Sequence, residues 1–450
     1  MTRKRICSSI FLLAVLALNG HAQNTKVITG ATLIDGTGRA PIKDAVIVIE
    51  GTRISVVGTR AKVKIPKGAQ MLDARGKYVI PGLADMHNHL GRGDISGARR
   101  NLKQNLAHLL GWGITMVFDT GISMADFAEL KSAAAEDTSP YPRFFAVAYF
   151  TAKGGYGGTS GSYMPDRPEE ARANVREAKA VGVDAVKIAY DDMARSRKPL
   201  PMLKYDVLAA IIDEAHKQGL KAYSHVTSLQ YAKEFLRAGG DGLVHSVSTD
   251  LVDAEFISLM RKNKAVYIPT LSMFETMAGE KPIASWVERE ANFDLRRVIA
   301  KEVYAALLDP ATPQRLMPQF GEYAYAYIRA HRPILMANVK KLFDAGVVVV
   351  CGTDTGVPGV LLGVASQMEP TLYVEAGLTP AQALRTATIN AARMIGRETD
   401  LGTVEAGKLA DLVILDADPL ADISNIRQLN RVIKGGVVYD PAVVVKSTVN

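Results

Sequence analysis

The chain reads as an α/β protein: a (β/α)8, or TIM, barrel with a small β-sandwich domain assembled from both chain ends. Three observations carry this expectation. Short apolar runs alternate with amphipathic stretches between Leu83 and Cys351. β-branched segments punctuated by glycine occupy both ends of the chain. Histidine, lysine and aspartate recur where the apolar runs of the middle stop.

The first 22 residues read as an export signal. Arg3-Lys4-Arg5 is a charged start, Ile10–Leu18 is a nine-residue apolar run, and Gly20-His21-Ala22 offers small residues for a cut after Ala22. Nine apolar residues do not span a hydrocarbon core of roughly 30 Å. The expected location is therefore outside the cytoplasm, periplasmic or secreted. Of the two cysteines, Cys7 would leave with the signal and Cys351 would remain, so no intrachain disulfide is expected.

Composition narrows the class. Over 450 residues, 48% are hydrophobic, 22% charged and 7% aromatic. That excludes a disordered chain, a collagen-like repeat and a coiled coil. The formal charge is +8, but Arg3, Lys4 and Arg5 belong to the signal, and no dense basic stripe interleaves with aromatics. Nucleic acid is not an expected partner. No later segment approaches 18 continuous apolar residues, so the mature chain is not expected to insert in a membrane. The expected partner is a small-molecule substrate, and a homo-oligomer is compatible with the sequence.

In chain order, residues 23–80 form the first part of the small β domain, with strands at Val27-Ile28, Ala45–Ile49, Ile54–Val57 and Tyr78–Ile80. Glycines 30, 36, 38, 51 and 58 mark turns between them. Residues 81–398 form the barrel. Its strands are expected at Leu83–His87, Thr115–Asp119, Phe144–Tyr149, Ala185–Ala189, Lys221–His225, Leu243–His245, Ala265–Pro269 and Val347–Cys351. Tyr205–Gln218 places Val207, Leu208, Ile211, Ile212 and Ala215 at helical spacing. Thr379-Pro380-Ala381-Gln382 is a helix start with a capping box. A mostly helical insertion spans about 270–345 and carries Trp286, Phe293, Phe320, Tyr323, Tyr325 and Tyr327, a lid or an interface element. Residues 399–450 return to the β pattern at Asp411–Leu415, Val432-Ile433 and Val437–Tyr439.

The polar residues then fall into place. His87 and His89 end the first strand two apart, on one face. Lys187 lies in the fourth strand, His225 ends the fifth, His245 ends the sixth, and Asp354 follows the eighth. Active sites of such barrels form at the carboxyl ends of the strands. A lone strand histidine is most often a core residue with a satisfied hydrogen bond. Four on one face, with an aspartate, match metal ligation of the zinc type. His108, His216 and His331 lie elsewhere and are read as structural or solvated. Lys187 inside an apolar strand is costly to bury as an ammonium. It either snorkels or pairs with Asp191 or Asp192, or it has captured carbon dioxide. The resulting N6-carboxylated lysine presents two oxygens and bridges two metals.

These motifs resemble the amidohydrolase superfamily, in its imidazolonepropionase-like and Xaa-Pro (Xaa-Arg) dipeptidase-like branch. The resemblance runs from Gly82-Leu83-Ala84-Asp85-Met86-His87-Asn88-His89 through Gly182–Ile188 and Gly352-Thr353-Asp354-Thr355-Gly356 to Leu401–Leu412. It implies two divalent metal ions of the zinc type. His87, His89 and Asp354 would hold the more buried ion, His225 and His245 the more exposed one, and carboxylated Lys187 would bridge them. It also implies attack by a bridging hydroxide, with Asp354 as proton shuttle. Two positions depart from the pattern. Tyr156 stands in the glycine-rich loop where many relatives have histidine, and Thr227 stands where dipeptidase-like relatives often have tyrosine. Tyr156 is a candidate substrate-binding residue or a packed loop aromatic.

The leading expectation is hydrolysis of an amide, in a dipeptide or an N-acyl amino acid. A lactone, carbamate or phosphotriester substrate fits the same metals. A mononuclear deaminase fits less well, because no glutamate follows His225 in Val226-Thr227-Ser228-Leu229. A non-catalytic metal-binding homologue would not be expected to keep all six ligand positions.

Overall fold

A computed structural model describes residues 25–91, 101–159, 161–194, 199–278, 299, 301–309, 321–357 and 359–449. The export signal and, within the insertion, Trp286, Phe293 and Phe320 lie outside the described residues. Strands β1 (Thr25–Leu33), β2 (Ile42–Glu50), β3 (Arg53–Thr59), β4 (Gln70–Asp73) and β5 (Tyr78–Pro81) open the chain. In β2, Ala45 to Ile49 are all buried, which matches a β-branched run held between two layers.

The middle supplies β6 (Leu83–Asn88), β7 (Ile114–Asp119), β8 (Arg143–Phe150), β9 (Ala185–Ala189), β10 (Lys221–His225), β11 (Gly242–Val244), β12 (Val266–Ile268) and β13 (Val348–Val349). They lie side by side in chain order as one eight-stranded sheet, each pair parallel. Every residue of β6, β7 and β9 is buried, as a sheet covered on both faces requires. The sheet curls until its first strand meets the chain beyond its last. Met86 N–H donates to Cys351 C=O at 2.9 Å, and Asp354 N–H donates to His87 C=O at 2.8 Å. The eighth expected strand, Val347–Cys351, keeps ladder pairing only at Val348–Val349. Gly352 explains the tightness of the seam: a Cβ there would lie 2.8 Å from His87 Cβ and 2.6 Å from Ile268 Cγ2.

The chain then adds β14 (Leu412–Leu415), β15 (Leu429–Lys434) and β16 (Val437–Tyr439). These join the opening strands in the order β16-β15-β14-β5-β1-β2-β3, with β4 beside β1. The pairing gives one sheet drawn from both ends and leaves the expected sandwich unshown. The two chain ends meet edge to edge, Leu412 opposite Pro81 and Leu415 opposite Tyr78, within one sheet. Backbone groups at a strand edge need partners, and here each end satisfies the other. Arg143 of β8 ties this sheet to the barrel. Its guanidinium holds Asp411 in a bidentate pair at 2.7 and 3.1 Å, both residues buried.

The helix Tyr205–Lys217 forms where its spacing predicts and buries Val207, Leu208, Ile211, Ile212 and Ala215. Thr379 and Gln382 form the reciprocal capping box. Within the insertion the described helices are Leu271–Ala278, Lys301–Leu307 and Gly321–Asp344. Pro441–Val449 forms a further helix in spite of its β-branched Val443-Val444-Val445 run. It packs on the Leu102–Gly111 helix, where Gly111 leaves room for Val444 and Val445. Thr448 Oγ1 lies 2.8 Å from His108 Nδ1. His108, His216 and His331 all have structural partners: Thr448 and Trp112, Asp241, and the Tyr327 carbonyl respectively.

Candidate metal centre

His87 and His89 leave the end of β6 toward the barrel seam. Asp354 meets them from the chain after β13, held by its own N–H on the His87 carbonyl. Nε2 of His87 and Nε2 of His89 each lie 3.0 Å from Asp354 Oδ1. One ligand atom from each of the three residues falls within 4.8 Å of the others, and all three are buried. His245 adds a fourth donor, with Nδ1 4.0 Å from Asp354 Oδ2. Its ring stands 5.0 Å from the His87 ring and 4.5 Å from the His225 ring. His225 thus stands beside His245. Tyr156 stacks on the His225 ring at 4.3 Å.

Two of these residues sit in the left-handed region. His245 has φ 76° and Asp354 φ 64°. For non-glycine residues each such conformation costs about 1–3 kcal/mol and persists only where the surroundings impose it. Thr270, also left-handed at φ 51°, places Oγ1 2.8 Å from His245 Nδ1. If Nδ1–H donates there, Nε2 keeps its lone pair.

Lys187 is 2% exposed, in a strand whose five residues are all buried. It pairs in register with Tyr149 of β8 and Tyr223 of β10. Its charge bears on both His87 and His245. Asp191, a sequence candidate for pairing with Lys187, accepts bonds from Thr227 N–H (2.7 Å), Thr227 Oγ1 (2.9 Å) and Met193 N–H (3.0 Å). Asp192 takes the Tyr231 hydroxyl at 2.9 Å.

The electrostatics suit cation binding. Burial drives His87 well below the ordinary imidazole range, and the Lys187 charge adds to it. Burial and the neighbouring His225 do the same to His245. Both are neutral and keep donor lone pairs. Burial pushes the Asp354 carboxyl up, but His87, His89 and His245 outweigh it and hold the carboxyl well below its usual range. Neutral imidazoles around an ionised carboxylate are the donor set of a borderline divalent cation.

Residues outside the candidate ligand set hold these groups in place. Asp85, fully buried, accepts from His87 N–H (3.2 Å), Thr353 N–H (3.2 Å), Thr353 Oγ1 (2.7 Å) and Ser366 Oγ (2.7 Å). It thus fixes both sides of the barrel seam. Thr120 Oγ1 lies 3.2 Å from His87 Nδ1. Asp119 accepts from Leu90 N–H at 2.7 Å and shapes the turn after His89. Asp85 was visible two residues before His87. Thr120 and Thr270 carry no sequence signal of their own.

A cavity opens on the outer side of the cluster. Its lining joins Tyr156, His225, His245 and Asp354 to Met193, Met273, Phe274, Met277, Tyr327 and Ile328. Met273, Phe274 and Met277 belong to the Leu271–Ala278 helix, and Tyr327 and Ile328 to Gly321–Asp344. Part of the long insertion thus lines the approach to the cluster.

With this geometry in view, comparison with known proteins is decisive at the level of family. The model described as "Amidohydrolase family" matches residues 78–439. The chain belongs to the amidohydrolase family. This amidohydrolase is 26% identical to an ochratoxinase of Aspergillus niger, over 94% of this chain and 88% of the relative. It is 27% identical to an imidazolonepropionase of Brevibacillus brevis, over 88% of this chain and 90% of the relative. Among solved structures, a Xaa-Pro dipeptidase with bound methionine in its active site is similar at a TM-score of 0.73 and 25% identity, covering 92% of this chain and all of that one. The amidohydrolase is accordingly a hydrolase acting on carbon–nitrogen bonds of small molecules. No helix among the described residues is long and apolar enough to cross a membrane.

Proposed function

We propose that this amidohydrolase is an exported, binuclear metal-dependent enzyme. It cleaves the amide bond of a dipeptide or N-acyl amino acid carrying an apolar group. The observation that carries this reading is the meeting of His87, His89, His245 and Asp354 at one barrel seam, with Lys187 acting on the same centre and an apolar cavity outside. His87, His89 and Asp354 would hold the inner ion, and His225 and His245 the outer one. Carboxylated Lys187 would lie between them, its two oxygens replacing a buried ammonium by an anion. Two ions of the zinc type would supply a nucleophilic water at neutral pH and a Lewis acid for the scissile carbonyl.

The chain's own groups move the proton. Asp354, ionised and pinned through its backbone, accepts the proton of the attacking water and passes it to the leaving nitrogen, so the amine departs neutral. Tyr156, fixed on the His225 ring, is the hydrogen-bond donor for the substrate. Met193, Met273, Phe274 and Met277 receive the apolar group and exclude water; thioether side chains adapt to irregular apolar shapes. The similarity to the Xaa-Pro dipeptidase supports an amide as the scissile group.

The test combines metal analysis of the purified protein with a panel of dipeptides, N-acyl amino acids, lactones and phosphotriesters. Two ions per chain and amide turnover that a chelator abolishes and Zn2+ restores are expected. Turnover confined to lactones or phosphotriesters, or full activity without metal, overturns the proposal.

A further inference from the structure

The buried carboxylate Glu369 lies outside the metal cluster, and no step above uses it. It sits in the middle of the Val364–Glu375 helix and is completely buried. Its two oxygens accept separate backbone bonds, from Leu271 N–H at 2.6 Å and from Ser272 N–H at 2.7 Å. Those amides open the Leu271–Ala278 helix, whose first-turn donors have no partner within the helix. When ionised, the group also meets the positive end of the helix dipole.

That helix is where the cavity and the cluster meet. Met273, Phe274 and Met277 on it form the apolar wall. Thr270, the residue before it, bonds His245. Ser272 Oγ donates to the carbonyl of Thr353, the residue before Asp354, at 3.3 Å. The far side of the helix is held as well, because Arg332 bridges Glu275 on it to Glu375, which ends the same helix that carries Glu369.

We infer that Glu369 is the positioning residue for substrate selectivity: by clamping the start of the Leu271–Ala278 helix it sets the apolar wall at a fixed distance from the metal ligands. This rests on the amide-hydrolase reading above. The clamp is bidentate, so its loss frees the helix start to shift. An apolar side chain reaching Met273 and Phe274 feels that shift. A substrate too small to reach them does not.

The test uses N-acetyl-phenylalanine and N-acetylglycine, which share the scissile acetyl amide and differ in the group offered to the wall. Glu369→Gln retains one acceptor and sets an N–H2 donor against the second amide. Relative to the unaltered enzyme, kcat/KM for N-acetyl-phenylalanine should fall at least tenfold, mainly through KM. The value for N-acetylglycine should stay within about twofold, and metal content should be unchanged. Amide exchange in the segment 270–278 should accelerate at least tenfold. Glu369→Asp keeps the charge and shortens the reach, and it carries the same test if the Gln variant does not fold. Equal losses on both compounds, or unaltered exchange, overturn the inference. If the unaltered protein hydrolyses neither compound, the N-acyl amino acid form of the amide reading fails separately and the dipeptide form is left to the panel above. Calorimetric binding of the same pair then decides on Glu369: weakening confined to the phenylalanine compound supports it, and equal weakening overturns it.

Discussion

The Thr270 hydroxyl lies 2.8 Å from Nδ1 of His245, and both residues hold a left-handed backbone to keep it there. A hydrogen bond of this kind fixes the ring orientation and tautomer of a ligating histidine. Removing such a partner typically lowers metal affinity about 10–100-fold. Thr270→Val should therefore weaken the outer ion by about that factor and leave the inner one in place. Chelator competition on the two sites measures it. Equal loss of both ions would show that Thr270 holds the backbone rather than the ring.

Lys187→Ala removes the proposed bridge. Metal content should fall well below two ions per chain and turnover should collapse. A variant that retains both ions and full turnover would make Lys187 a structural residue.

Asp354→Asn separates ligation from proton transfer. The amide keeps a carbonyl oxygen, so metal should largely remain, but it has no basic site near neutral pH. Loss of general acid–base help costs about 10²–10⁴-fold. That loss should appear in kcat on an amide and much less on a matched activated ester, whose oxygen leaves without protonation. Equal losses on both would assign the proton to another residue.

Gly352→Ala forces a methyl group into the barrel seam against His87 and Ile268. Overpacking of this kind costs about 1–3 kcal/mol. The melting temperature should drop, and metal content should drop with it because His87 is displaced. An unchanged melting temperature would mean that the seam can open at no cost.

Burial pushes the Glu369 carboxyl up to about 7, against an ordinary value of 4.5. The folded protein therefore keeps a proton that the unfolded chain releases earlier. Stability linked to this group is fully present below about pH 4.5 and is lost as pH rises through 7, by at most about 3 kcal/mol. Thermal unfolding between pH 5 and 8 should show the decline, and Glu369→Gln should flatten it. The same slope in both proteins would assign the decline to other groups.

Export remains a prediction of the signal. Intact mass of protein recovered outside the cytoplasm should begin at Gln23. A mature protein that retains Ile10–Leu18 would refute it.

Several features were legible in the chain because their causes are local. A strand buried on both faces is mostly apolar, so Ala185–Ala189, apolar but for Lys187, could be placed to the residue. The capping box at Thr379 and Gln382 needs only three residues of spacing. The same logic set His87 and His89 on one face and made Lys187 conspicuous, because a lysine in such a run contradicts its surroundings. Pro441–Val449, rich in β-branched residues, is helical where it packs on the helix that ends at Gly111.

The order of the barrel strands was thus legible in the sequence alone, through alternation and burial, and the family through motifs that resemble it. Only the tertiary structure decided how the two chain ends join, which residues hold the histidines, and what lines the approach to them. Leu412 pairs with Pro81 across the whole barrel, Thr353 reaches Asp85 from 268 positions away, and Glu369 reaches Leu271 from 98. The physical reason is that a buried donor or acceptor must find a partner wherever the fold brings one, and one sequence carries no periodic trace of that meeting.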